Sequence, residues 1–100
     1  MVEYFLKPRN FFLSQINELT DSEKKLISEK LELVKINPFR YKGLSVPGLT
    51  KVFEIKITLS GLYSRLIYTV KGNEVRVECI INRNNDFKDL VKLLYKARQD

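Results

Sequence analysis

The segment Phe53–Val70, FEIKITLSGLYSRLIYTV, decides the fold class. Phe53, Ile55, Ile57 and Leu59 alternate with Glu54, Lys56 and Thr58. After the turn residues Ser60 to Leu62, Leu66, Tyr68 and Val70 alternate with Tyr63, Arg65, Ile67 and Thr69. A period of two sustained over this length predicts two antiparallel strands with one apolar face. KGNE at 71–74, with Gly72-Asn73 at its tip, predicts a second hairpin. Val75, Val77, Cys79 and Ile81 then give a third apolar edge, completing a meander whose second strand is central.

On either side of the meander the period changes to that of a helix. Val2 to Leu6 is a short apolar run suited to an edge strand, and Pro8 suits a first helical position. Phe12, Ile16 and Leu19 follow at helical spacing, predicting a helix to about Leu19. TDSE, Thr20 to Glu23, reads as a capping box opening a second helix with the stripe Leu26, Ile27, Leu31 and Val34. Pro38 disfavours helix at Asn37 and ends it. The prolines and glycines of Asn37 to Thr50 predict one long loop. Near the end, Phe87, Leu90, Val91, Leu94 and Tyr95 form an amphipathic stripe, capped by Asn85 or Asp86. The expectation is a single α+β domain over residues 1–100. An N-terminal helical hairpin packs on the apolar face of a small antiparallel sheet, with a C-terminal helix.

Composition narrows the chemistry. Eighteen basic residues against twelve acidic ones give a net charge of +6, which suits an anionic partner such as nucleic acid. The chain has no histidine, which excludes Ser-His and Cys-His nucleophilic triads and most zinc sites. The single cysteine, Cys79, sits in an apolar run and reads as a core residue, with no partner for an internal disulfide. No apolar segment reaches the ~20 residues that span a bilayer. MVEYFLKPRN lacks the features of a signal peptide. The expectation is a cytoplasmic protein with no metal, no cofactor and no membrane partner.

The alternation also sorts the polar side chains. Glu54, Lys56, Tyr63, Arg65, Arg76 and Glu78 fall on the face opposite the helices, with Arg83 just beyond the last strand. Arg40 and Lys42 lie in the loop leading into the sheet. Cross-strand pairing of Arg65 with Glu54 or Glu78 accounts for part of this set as an ordinary solvated surface, at about 0–1 kcal/mol per exposed pair. The excess of cations and the aromatic Tyr63 suit a phosphate-bearing ligand: Arg grips two oxygens, Lys adds a point charge, and a base stacks on the ring.

The order of motifs resembles the RelE/ParE toxin superfamily of type II toxin–antitoxin systems. The resemblance runs from NPF (37–39) through LSVPGLTKVFEIKI (44–57), YSRLIYTV (63–70) and NEVRVECIINRNNDF (73–87) to the terminal helix. It implies two helices on a curved antiparallel sheet and, for RelE-like members, an endoribonuclease that cuts mRNA on the ribosome without a metal. The ribose 2′-OH attacks its own 3′-phosphate, which needs a proton acceptor, cations and a proton donor. Carried over by position, Arg65, Lys56 and Arg83 stabilise charge and Glu54 is the nearest base, with Glu78 second. Tyr63, Arg40, Lys42, Phe87 and Arg76 are the expected RNA contacts. Phe87 stands where cutting members often carry tyrosine, and many carry lysine where Glu54 stands. Two alternatives therefore remain: a ParE-type toxin that inhibits DNA gyrase, and a non-catalytic RNA- or protein-binding module. Both toxin readings imply a cognate antitoxin, which covers the cationic face or displaces the terminal helix. The RelE reading adds the ribosome and mRNA as partners.

Overall fold

The computed structural model describes residues 2–82 and 87–99, with Phe87 described through its backbone alone. The chain runs β1 (Phe5–Pro8), α1 (Asn10–Ile16), α2 (Asp21–Ile36), β2 (Lys42–Val46), β3 (Leu49–Leu59), β4 (Leu62–Lys71), β5 (Glu74–Asn82) and α3 (Phe87–Ala97). The strands make one sheet ordered β1-β5-β4-β3-β2. The predicted meander is present as β3, β4 and β5, all antiparallel, while β1 joins β5 in parallel. The sheet is therefore mixed, and a strand precedes the helical hairpin. The parallel pairing corrects the expectation of a purely antiparallel sheet. The edge strand read at Val2 to Leu6 forms at Phe5–Pro8, so the hairpin is not the first element as the expected N-terminal hairpin would be. Parallel neighbours require a long crossover, and here everything from α1 to β4 lies between them.

Local chemistry explains the boundaries. Pro8 closes β1 instead of opening α1, a place open to proline because an edge strand leaves one side unpaired. α1 ends at Ile16, short of Leu19. The capping box at α2 forms as expected: Thr20 Oγ1 accepts from the Glu23 backbone N–H at 3.2 Å, and the Thr20 N–H donates to Glu23 Oε1 at 2.9 Å. α2 stops at Ile36, before Pro38. The loop expected over Asn37 to Thr50 contains a strand, β2, which folds back on β3 through Pro47-Gly48. Gly48 has φ +77, a conformation that favours glycine.

The sheet is covered on both faces. On one face Phe12, Ile27, Leu31 and Val34 of the hairpin pack against Ile55, Ile57, Leu66, Tyr68, Val75 and Val77. On the other, Leu90 and Leu94 of α3 pack against Val46, Val52, Ile67, Cys79 and Ile81. The expectation that all helices share one apolar face is thus corrected. Val52 and Ile67 reach that face by ordinary alternation, and a bulge in β5 adds to them: Tyr68 faces Val77 but Ile67 faces Cys79, so Glu78 is an extra residue. Past it the alternation inverts, sending Cys79 and Ile81 to the α3 side and leaving Ile80 with the hairpin core.

Two polar contacts tie loops and helices to the sheet. Beyond Pro8, β5 has lost its strand partner on that edge, and the Gln15 amide substitutes for one. It accepts from the Ile80 N–H at 2.7 Å and donates to the Ile80 carbonyl at 2.9 Å. The buried Tyr68 hydroxyl donates to the Pro38 carbonyl at 2.6 Å, fixing the end of α2 over the central strand.

Candidate nucleic-acid interface

The strand register brings five of the predicted side chains together. Lys56 and Arg65 are direct cross-strand partners on β3 and β4, Thr58 faces Tyr63, and Lys42 on β2 faces Glu54. Alternation puts Glu54, Lys56 and Arg65 on one face, beside the part of the sheet that α3 covers. With Lys42, Tyr63 and Ser64 they line an open concavity of about 500 Å³.

Glu54 organises this site. Its side chain is only 2% exposed, and both oxygens are engaged: Arg65 Nη1 donates to Oε2 at 3.2 Å, and Lys42 Nζ stands 3.6 Å from Oε1. A carboxylate withdrawn from water needs such partners, so Glu54 and Arg65 fix one another's position. Lys56 and Tyr63 are exposed on the rim. Two cations thus hold one buried acid, and a third, Lys56, stands across from Arg65 on the rim of a hollow that Tyr63 also lines. That arrangement can grip a phosphodiester, offer a base a stacking surface, and hold a carboxylate within reach of a hydroxyl.

Other predicted residues lie elsewhere. Arg65 faces Ile81 on β5, in place of the expected Arg76–Glu78 stretch. Arg76 faces Thr69, four residues further along β4, and is held by Glu74. Glu78 is fully buried among Arg9, Arg98 and Thr69, which removes it as a second base for the Arg65 site. The register is the reason: Glu78 bonds to Thr69, four residues along β4 from Arg65, and Arg65 itself faces Ile81. Arg40 packs its guanidinium 5.9 Å from the Tyr41 ring and does not line the concavity. Arg83 and the helix cap at Asn85 or Asp86 lie outside the described residues, as does the Phe87 side chain. Ser64, a lining residue, has no sequence signal that singles it out.

Cys79 and Tyr68 fit a structural reading. Burial, then the neighbouring Glu78, pushes the Cys79 thiol up to about 12, so it is a core side chain and not a nucleophile. Burial also raises the Tyr68 hydroxyl well above the usual phenol range. Among the described residues, no group of three or more His, Cys, Asp or Glu side chains is placed to hold a metal ion, and no helix is long and apolar enough to cross a membrane.

A small α+β domain with a mixed five-stranded sheet and a helical hairpin on one face has counterparts among solved toxin structures. They are structures of the Escherichia coli RelE toxin. A free arginine-to-alanine double mutant of RelE superposes with a TM-score of 0.70 at 21% identity, covering 98% of this chain and 97% of that one. A chain of the intact E. coli RelBE toxin–antitoxin complex gives 0.65 at 25% identity, covering 82% and 99%. Isolated RelE gives 0.62 at 24% identity, covering 89% and 96%. No family model matches the chain, and no curated protein matches it significantly in sequence. The chain has the RelE-type fold, as the resemblance read from its motifs implies.

Proposed function

We propose that this protein is the toxin of a type II toxin–antitoxin pair and that it cleaves mRNA at the hollow around Glu54, Lys56 and Arg65. The observation that carries the reading is the buried Glu54 clamped between Arg65 and Lys42, with Lys56 directly across from Arg65. Glu54 holds the Arg65 guanidinium at the rim. A phosphodiester entering the hollow offers Arg65 a second anion, and Lys56 approaches the same phosphate from the adjacent strand. As Arg65 turns to the phosphate, Glu54 Oε2 is released to accept the proton of the ribose 2′-OH. The 2′-oxygen bonds to phosphorus, the bond to the 5′-oxygen breaks, and a proton from Lys56 or water completes the leaving hydroxyl. The products are a 2′,3′-cyclic phosphate and a 5′-OH, with no net redox change. The cations stabilise the charge of the crowded phosphorane. Tyr63 stacks a neighbouring base, and Arg83, by the resemblance, adds a third cation.

The partners follow from this chemistry. The mRNA is presented on the ribosome in the cytoplasm, and an antitoxin with an acidic segment neutralises the hollow. A solved RelBE complex among the structural counterparts supports the antitoxin. End-group analysis tests the reaction: cleaved RNA resists polyadenylation at its 3′ end until the cyclic phosphate is removed. Fragments with 3′-OH and 5′-phosphate ends would overturn the proposed step.

A further inference from the structure

Positive charge is unevenly placed outside the hollow. The hairpin Asn10–Ile36 carries four lysines against five acids. The other side of the sheet is richer in cations. Lys7 on β1 faces Arg76 on β5, and Arg76 faces Thr69 on β4. Alternation along β4 puts all three on the same sheet face as Arg65. Lys7, Arg9 and Arg76 line a second concavity, about 290 Å³, at the β1 edge.

The acids of this region are outnumbered. Glu74 is shared by Lys7 at 3.6 Å and Arg76 at 3.1 Å. Glu78 is shared by Arg9 at 3.1 Å and Arg98 at 3.4 Å, and its Oε2 also accepts from Thr69 Oγ1 at 2.6 Å. Two carboxylates thus brace four cations, and the fully buried Glu78 holds the Arg9 guanidinium in place. Charge balance alone needs only as many cations as acids, so the excess is available to a ligand. α3 packs on this face over Val46, Val52, Ile67, Cys79 and Ile81. Its exposed Lys88, Lys92 and Lys96 recur every fourth residue, which places them along one side of the helix.

We infer that Lys7, Arg9 and Arg76 form a second contact for the RNA backbone, remote from the reacting nucleotide. The inference rests on the RNA reading of the first hollow and extends it. From Arg65 to the row of Arg76 is four residues along β4 and one or two strands sideways. At about 3.3 Å per residue and 4.8 Å per strand, the stations lie roughly 14–17 Å apart. A dinucleotide fills one of them, whereas a longer strand reaches both.

The test measures binding of 2′-O-methyl RNA, which lacks the attacking hydroxyl, by fluorescence anisotropy across a salt series. The probes are a dinucleotide and an oligomer of about 20 nucleotides, a length beyond a single small binding site. The Lys7→Gln/Arg76→Gln variant is expected to bind the oligomer more weakly and to flatten its log–log salt slope by about 1.4, roughly 0.7 for each lost phosphate contact. Its dinucleotide affinity should equal that of the wild type, which also reports an intact fold. An unchanged slope, or an equal loss on both probes, would overturn the second contact. Arg65→Ala reports separately on the first hollow. If it leaves dinucleotide binding intact, the RNA reading fails, and the second contact fails with it.

Discussion

Arg65→Ala should be more destabilising than Glu54→Gln, although each breaks the same ion pair. The asymmetry follows from burial. Removing the guanidinium leaves the Glu54 carboxylate, 2% exposed, with only the largely solvated Lys42 at 3.6 Å. Stranding a buried charge costs about 3–5 kcal/mol, and the surviving lysine reduces that to about 2–3 kcal/mol. Glu54→Gln instead leaves Arg65, whose side chain is 24% exposed, where water can reach it and the amide oxygen still accepts a hydrogen bond. That change should cost about 1 kcal/mol. In a domain of this size the two values correspond to melting-temperature losses of roughly 10–20 °C and 4–8 °C. The Arg65→Ala/Glu54→Gln double variant, having no stranded carboxylate, should be more stable than Arg65→Ala alone, by about 1 kcal/mol. Urea denaturation followed by circular dichroism supplies all four corners of the cycle. Strict additivity, or a smaller loss for Arg65→Ala than for Glu54→Gln, would refute the claim that Glu54 and Arg65 hold one another in place.

Three further outcomes are expected. Tyr68→Phe removes the donor to the Pro38 carbonyl and should cost about 1–2 kcal/mol in the same denaturation assay, because that carbonyl loses its buried partner. Thr20→Ala removes the cap of α2 and should cost about 1 kcal/mol. Cys79 should resist thiol reagents in the native protein near pH 8 and react on unfolding. The folded thiol keeps its proton to about 12 while the unfolded one loses it near 9, so the native state binds more protons between those values. Stability should therefore fall as pH rises through that window, and Cys79→Val should lessen the fall, as urea midpoints at about pH 8 and pH 10 will show.

Most of the fold was legible because its elements carry strong local signals. The capping box at Thr20, the stop at Pro38, the Gly72-Asn73 turn and the stripe through Leu90 and Leu94 each depend on neighbouring residues alone. The departures depend on tertiary context. β1 pairs in parallel with a strand far along the chain, which nothing within Val2 to Leu6 announces. β2 forms because Pro47-Gly48 folds the chain back, although its own composition reads as loop. The β5 bulge left a trace: Val77, Cys79, Ile80 and Ile81 are apolar at both parities, the mark of a strand covered on two faces. Within the site, Glu54, Lys56, Tyr63 and Arg65 were legible from the alternation, since the β3–β4 register has no irregularity between them. Arg76 and Glu78 stand away from Arg65 because the register set by the Gly72-Asn73 turn puts Arg76 opposite Thr69, and beyond the bulge Arg65 faces Ile81.

The most direct measurement of the central claim maps new 5′ ends by primer extension on a defined mRNA in a translating extract. Wild type, Arg65→Lys, Lys56→Ala and Lys7→Gln would run in parallel, with ribosome-free RNA alongside. Arg65→Lys keeps a cation beside Glu54 but loses the fork that grips two phosphate oxygens. The account predicts ribosome-dependent cuts by the wild type, loss of those cuts with Arg65→Lys and Lys56→Ala, and their persistence with Lys7→Gln. Cuts that survive both Arg65→Lys and Lys56→Ala would contradict it, as would an extract in which the folded wild-type protein makes no cuts at all.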